Sequence, residues 1–397
     1  MLYFILLFII VISILNLKLK IIFRENYTNF DRVNPLKYFK YELPIINKLK
    51  LGTANKNTTC YQLGRILSKY FPLQVIETSG TLENIDKLSS GEIDLAIGQE
   101  EIFSDAYFGK NDYLNTPKKN FSFVGGLFFE YFTIILNNLI PVRTFTDLGR
   151  GFEKIDRNYI IGIPEKTSGT YYIIKKIFEI YGIDAIELNT RVDNSLNKIY
   201  YVTADINSII SLFIRGDIDG LCMITGPKNP YIINLCKFKA VKFLGIEYDE
   251  TKSNIMKSFL SPIYYKDFDP RVFFTTNYMG NKIITIGSRS ILVSRKEVNN
   301  QYINTLLTIL YNNIDSIRDE LDNYLFTKYR NNKLVDSLIP ENIPFVSKDL
   351  AIHPGALEIF RKNGYITNDT NNCYNNECHI DYKKLYWKYP IDQVTLK

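Results

Sequence analysis

The chain has 397 residues, 46% hydrophobic and 23% charged, enough apolar side chain to bury a large core and unlike a disordered polymer or a fibre. Its 48 Lys and Arg against 42 Asp and Glu leave a net charge of +6, spread evenly, which argues against the concentrated basic footprint of a nucleic-acid binder. With only two histidines, His353 and His379, any histidine triad or histidine-rich metal centre must pass through one of them.

The first 23 residues are expected to form a signal anchor or transmembrane helix. Residues 2–17 are apolar except for Tyr3, Ser13 and Asn16, and a second apolar triplet, Ile21 to Phe23, follows Lys20. The run lies between a signal-peptide core and the roughly 20 residues that span a bilayer. No Ala-x-Ala-like cleavage site follows, which favours an uncleaved anchor. Two topology signals oppose one another. Lys18, Lys20 and Arg24 follow the run, which by the positive-inside rule holds the rest of the chain on the cytoplasmic side, whereas Asn-x-Ser/Thr sequons at Asn26, Asn57, Asn120 and Asn368 suit a lumenal or external location. Residues 24–47, polar and aromatic with Pro35 and Pro44, read as a spacer.

From residue 48 the pattern becomes regular. A strand at 48–53, a helix at 61–70, a strand at 73–78, a helix at 81–90 and a strand at 94–98 make a β-α-β-α-β series, the mark of a parallel sheet covered by helices. Residues 121–128 and 131–136 read as two strands. A second series follows: a strand at 159–162, a helix at 171–181 closed by Gly182, a helix at 206–215 and a strand at 219–225. Further strands are expected at 283–287 and 290–294, and one long helix over 299–326. The fold class is thus α/β with two lobes. Residues 48–140 form the first, 141–225 the second, the chain returns to the first over roughly 226–365, and 366–397 is a polar tail.

Five cysteines are an odd count. Cys222 sits in an apolar run and reads as core. Cys373 and Cys378 lie in NNCYNNECH, which suits a local disulfide or two free thiols; a metal site there with His379 lacks a fourth ligand.

Three loops that lead from a strand into a helix carry the most chemistry: Gly52 to Thr59, Thr78 to Asn84, and Gly162 to Thr170 (GIPEKTSGT). Helix starts present free N–H groups and a positive dipole end, and the flanking hydroxyls and amides add donors. No loop has the Gly-Lys-Ser/Thr ending of a Walker motif. Any one alone reads as a capped helix, but three at the carboxyl ends of strands converge on one cleft if the lobes face each other, a seat for a small anion or an amino-acid-like ligand. No acid–base pair is spaced for catalysis, so neither enzymatic activity nor a cofactor is expected. His353, in HisProGly ahead of a short helix, reads as a structural turn.

Several stretches resemble the TAXI-type solute-binding proteins of TRAP transporters: LGTANKNTTCYQLGRILSKY, ETSGTLENIDKLSSGEIDLAIGQEEIFSDAYFG, IGIPEKTSGTYYIIKKIFEIYGI, IRGDIDGLCMITGPKNPYI and LAIHPGALEIFRKNGYI, in that order over residues 48–365. The chain departs from that pattern at Lys56 to Cys60, where the family is richer in Gly, and at Asp219-Gly-Leu-Cys. The resemblance implies a type II periplasmic-binding-protein-like fold whose lobes close on a small carboxylate-bearing solute, an amino acid or dicarboxylate. It implies a pocket lined by Thr53, Asn55 and Thr58, by Ser79, Gly80 and Thr81, and by Thr167, Ser168, Gly169 and Thr170. Its implied partners are an anionic solute and membrane transporter subunits, on the extracytoplasmic side of a membrane. Two other readings stand beside it: a membrane-displayed interaction protein with a degraded pocket, and an enzyme similar to a thiamine-precursor synthase, which would need Lys56 or Lys166 against His353.

Overall fold

The computed structural model describes residues 48–56, 58–149, 158–188, 198–226, 229–246, 249–259, 264–268, 270, 283–325, 343, 350–365, 373–374 and 377–378. The expected anchor and spacer, His379, and the sequons at Asn26, Asn57 and Asn368 lie outside these residues. Among the described residues, no helix is long and apolar enough to cross a membrane. At Asn120, Nδ2, the atom a glycan would occupy, donates to the Leu88 carbonyl at 2.9 Å.

The first lobe runs β1 (Leu49–Gly52), α1 (Thr59–Leu67), β2 (Leu73–Ile76), α2 (Thr81–Ser90), β3 (Leu95–Gln99) and α3 (Glu100–Phe108). Its strands are parallel and ordered β2-β1-β3. The second lobe runs α4 (Phe145–Gly149), β5 (Tyr159–Pro164), α5 (Gly169–Tyr181), β6 (Ala185–Glu187), β7 (Ile199–Ala204), α6 (Ile206–Arg215) and β8 (Gly220–Thr225). Here β7, β5 and β8 repeat the parallel 2-1-3 order, with β6 outside β7. Each lobe is therefore a β-α-β-α-β unit with helix starts at the carboxyl ends of its strands.

Two long strands join the units. β4 (Phe121–Asn137) pairs antiparallel with β11 (Ile283–Arg295) over Phe121 to Tyr131, and with β8 over Tyr131 to Leu136. The β4–β11 register shifts near Arg289 and Leu292, and β11 in turn pairs antiparallel with β3. The two strands expected at 121–136 are thus one. Glu130, between them, does not end the strand because its carboxylate is buried and hydrogen-bonded rather than turned to solvent. The strands expected at 283–294 merge in the same way.

The second lobe extends further than expected. Between α7 (Pro230–Phe238) and β9 (Val241–Leu244), Ile232, Ile233, Leu235, Val241 and Phe243 share a core with Ile209, Phe213 and Leu221, and β9 pairs with the distal half of β4. In α8 (Glu250–Phe259), the Lys252 ammonium lies 4.5 Å from the Tyr181 ring centroid of α5. The return to the first lobe runs through β11, not from residue 226. β10 (Tyr264–Phe268) pairs with the start of β11.

The helix expected at 299–326 is two, α9 (Asn300–Asn312) and α10 (Ile314–Leu325). They are separated at Asn313, whose φ of −119° departs from the helix and whose backbone and side-chain amides both donate to the Ile309 carbonyl, at 3.0 and 2.8 Å. α10 meets the first lobe, where Tyr70 donates to Glu320 at 3.3 Å. α11 (Pro354–Lys362) is capped by His353, whose Nδ1 accepts from the Gly355 amide at 3.2 Å while Nε2 lies 3.1 Å from the Val298 carbonyl. Near the end of the chain, β12 (Cys373–Tyr374) and β13 (Glu377–Cys378) pair with Cys373 opposite Cys378.

The lobes touch. A methyl group added at Gly169, the first residue of α5, would sit 2.3 Å from Gln99 Oε1 and 2.8 Å from Ile102 Cδ1, both in the first lobe. One added at Gly226 would sit 2.7 Å from Thr59 Oγ1. The Tyr172 hydroxyl of α5 donates to Asp105 of α3 at 2.7 Å. At Gly169 and Gly226 the lobes thus meet where the backbone carries no side chain.

Where the joining strands meet α3, Glu101 is fully buried and accepts from the Ser288 hydroxyl at 2.9 Å. Burial raises its carboxyl to about 8, and that of Glu130 to about 7.

Two outcomes follow. A carboxyl raised in the folded state keeps a proton that the unfolded chain has already released, so stability falls as pH climbs from about 4.5 to about 8, by an amount on the order of 1–3 kcal/mol. Glu101→Gln keeps the Ser288 bond and cannot titrate, so urea midpoints compared near pH 5 and pH 8 should differ less than in the wild type; an unchanged difference refutes this assignment. Gly169→Ala suits a helix start but collides across the seam, so its melting temperature should stay within a few degrees of wild type. Its radius of gyration in small-angle X-ray scattering should grow, and an unchanged radius would show that the seam yields without opening.

Candidate functional site

Five helices begin at the seam. α1 is capped by Thr58, whose hydroxyl accepts from the Tyr61 amide at 3.3 Å and donates to the Asn55 carbonyl at 2.7 Å. α2 starts after Gly80, which has a φ of 130°, and its Glu83 reaches back to accept from the Ser79 amide and hydroxyl at 2.7 and 2.9 Å. α5 is capped by Ser168, which accepts from the Tyr171 amide at 3.1 Å. α6 is capped by Asp205, which accepts from Asn207 and Ser208 amides at 3.0 and 3.1 Å, and α7 by Asn229, which accepts from the Tyr231 amide at 2.9 Å. Two starts come from the first lobe and three from the second.

They surround one cavity of about 140 Å³. Thr53, Asn55, Thr58, Ser79, Gly80, Thr81, Ser168, Gly169 and Thr170 all line it. Thr167 does not: it is exposed on the rim, and its carbonyl accepts from the Ser79 hydroxyl across the seam at 3.4 Å. Several of the gathered hydroxyls are already engaged. Thr53 donates to the Ile76 carbonyl at 2.9 Å, and Thr81 donates to Gln99 Oε1. Thr58 and Ser168 are caps, as the simplest reading of each loop has it. The donors a guest would meet are therefore chiefly backbone amides of the helix starts.

Sequence reasoning missed Gln99, Glu130, Thr225 and Asn229, which also line the cavity. Glu130 is 6% exposed and accepts from Gln99 Nε2 at 3.0 Å. Burial is the main cause of its raised carboxyl, with bonds from Ser290 and Gln99 opposing. One signal was available: Glu130 is the single charged residue among the 17 of β4. Cys60 lines the same wall, and burial pushes its thiol well up, assisted by the neighbouring Glu130. Among the described residues, no Lys, Arg or His lines the cavity.

The groups an enzyme reading would need are engaged elsewhere. Lys56 pairs with Glu77 at 3.1 Å and Lys166 with Glu187 at 2.7 Å, both exposed. His353 is buried, with both ring nitrogens facing backbone partners around α11. Among the described residues, no group of three or more His, Cys, Asp or Glu is placed to hold a metal ion.

None of the curated proteins searched matches the chain. Among solved structures it is similar to the alkanesulfonate-binding protein SsuA from Xanthomonas axonopodis pv. citri bound to MOPS, at 14% identity over 70% of this chain and 78% of that one, with a TM-score of 0.37. It is similar also to the ligand-binding component of an ABC-type import system from Staphylococcus aureus, at 14% identity over 80% and 92%, TM-score 0.39. A third is MatC from Rhodopseudomonas palustris with bound malate, at 11% identity over 70% and 89%, TM-score 0.44. Residues 51–364, most of the described chain, match a single family along their length, and the chain belongs to the NMT1-like family.

Proposed function

We propose that the chain is a transporter-type solute-binding protein of the TAXI kind, held at a membrane by its first 23 residues on the extracytoplasmic side, which captures a small carboxylate-bearing solute by closing its lobes and delivers it to membrane transporter subunits. The observation that carries this reading is the convergence of five helix starts, from both lobes, on one cavity.

Each helix start is equivalent to about half a positive charge, and its first four amides lack partners within the helix. Caps satisfy some of these amides, and the rest can donate to an anion. Because donors come from both lobes, a guest that bridges them binds the closed state better than the open one and shifts the population towards it. Gly169 and Gly226 let the lobes come within contact distance on either side of the guest. The space suits a small molecule, since a cavity of about 150 Å³ accommodates benzene. The open interior runs against a pocket degraded by bulky side chains. The engagement of Lys56, Lys166 and His353 with other partners runs against the synthase reading.

Thermal-shift measurements with panels of L-amino acids and dicarboxylates test the proposal. A ligand at about 100 times its Kd stabilises the folded state by about 2.7 kcal/mol, which should raise the melting temperature by several degrees. Flat responses across both panels at millimolar concentrations would reject it.

A further inference from the structure

The cavity wall is electrostatically one-sided. Among the described residues its formally charged side chains are three acids, Glu130, Glu165 and Asp205, and none is basic. Glu165 and Asp205 are exposed at the rim, and Asp205 is committed to capping α6. Glu130 differs from both. It sits 6% exposed in the middle of β4, at the point where that strand passes from one lobe to the other. Its carboxyl is held in place: Gln99 donates to it from β3, and Gln99 is in turn fixed by Thr81, which donates to its Oε1 and accepts from its backbone amide at 3.1 Å. Ser290 of β11 bonds it as well. A carboxylate offers about four acceptor sites, so these two side-chain donors leave capacity facing the cavity.

We propose that Glu130 is the specificity residue of this cleft, and that the solute it selects carries an ammonium or other N–H donor beside its carboxylate, an α-amino acid in preference to a dicarboxylate. This rests on the solute-binding reading and narrows its ligand class. The guest's carboxylate is met by amides of the helix starts, and its ammonium by Glu130, a charge-assisted hydrogen bond in a site largely withdrawn from water. Among the described residues a dicarboxylate meets no cationic side chain for its second negative group, which would lie towards a buried acid, a like-charge contact that disfavours binding. The cavity of about 140 Å³ is of amino-acid size.

The groups facing Glu130 support a pH signature. α1 presents Cys60, whose thiol burial keeps neutral, and α3 presents Glu101, also raised by burial. β3 and β11 present the uncharged Gln99 and Ser290, while Arg289 of β11 has its guanidinium 5.0 Å from the Phe129 ring centroid. Ionising Glu130 as pH rises through about 7 should therefore strengthen binding of an ammonium-bearing guest and weaken that of a carboxylate lacking one.

Calorimetric titration of the full chain in detergent, with matched probes, tests this: L-glutamate against glutarate, L-leucine against 4-methylpentanoate, and L-alanine against propionate. In at least one pair the amino acid should bind about tenfold or more tightly than its deaminated partner. Glu130→Gln should bring that ratio close to one while keeping binding of the simple carboxylate. If that variant fails to fold, the wild-type ratio measured from about pH 5.5 to 8 decides, and it should rise with pH. Equal affinities within every pair, a preference for glutarate, or a ratio indifferent to both the substitution and pH would overturn the assignment of Glu130 alone. Absence of binding by every probe would overturn the solute-binding reading and this inference together.

Discussion

The constraint on which the rest of the structure depends is the fate of backbone amides at helix starts. A parallel β-α-β unit places each helix N-terminus at the carboxyl end of the preceding strand, so two such units facing one another bring their unsatisfied N–H groups to a common seam. Side-chain caps from Thr58, Ser168, Asp205 and Asn229 reduce that number without exhausting it. What remains is a positive potential made from backbone, at a cavity that among the described residues no lysine or arginine lines.

Closure depends on the absence of side chains. Gly169 begins α5 against Gln99 and Ile102, and Gly226 faces Thr59. Tyr172 and Asp105 then add a polar contact between α5 and α3. The two long strands β4 and β11 carry the chain between lobes, and here the structure tolerates buried acids. Glu101 and Glu130 are costly to ionise where they lie, yet each has donors fixed by neighbouring strands: Ser288 for the first, Gln99 and Ser290 for the second. A buried acid held by several elements is a specific arrangement, and it places a titratable group on the floor of the cleft.

The arrangement separates attraction from discrimination. In the proposed function helix starts attract a small anion and draw on backbone that every β-α-β unit possesses. Glu130 is a single side chain on a strand shared by both lobes, so the discrimination proposed for it would leave the fold that gathers the helix starts unaltered. The engaged hydroxyls of Thr53, Thr58, Thr81 and Ser168 hold loops in shape, and their contribution to a guest is indirect.

Sequence by itself determined the β-α-β-α-β series of the first lobe and, in the second, β5, α5, α6 and β8, because local periodicity and turn chemistry record whether a segment is strand or helix; β6 and β7 were not read from it. The bounds of α2 at Thr81 and Ser90, and of α6 at Ile206 and Arg215, were legible to the residue, and Gly182 was legible as a cap. The three strand-to-helix loops were legible too, because hydroxyl and amide residues cluster where helices begin. Tertiary structure alone decided what depends on partners distant in sequence. β4 and β11 are each unbroken because they pair with one another and, beyond that, β11 with β3 of the first lobe and β4 with β8 and β9 of the second. Residues 230–244 belong to the second lobe because their apolar faces meet Ile209 and Phe213. Glu130 is a cavity residue because Gln99 and Ser290, 31 and 160 positions away, fold against it, and no local pattern records such an approach.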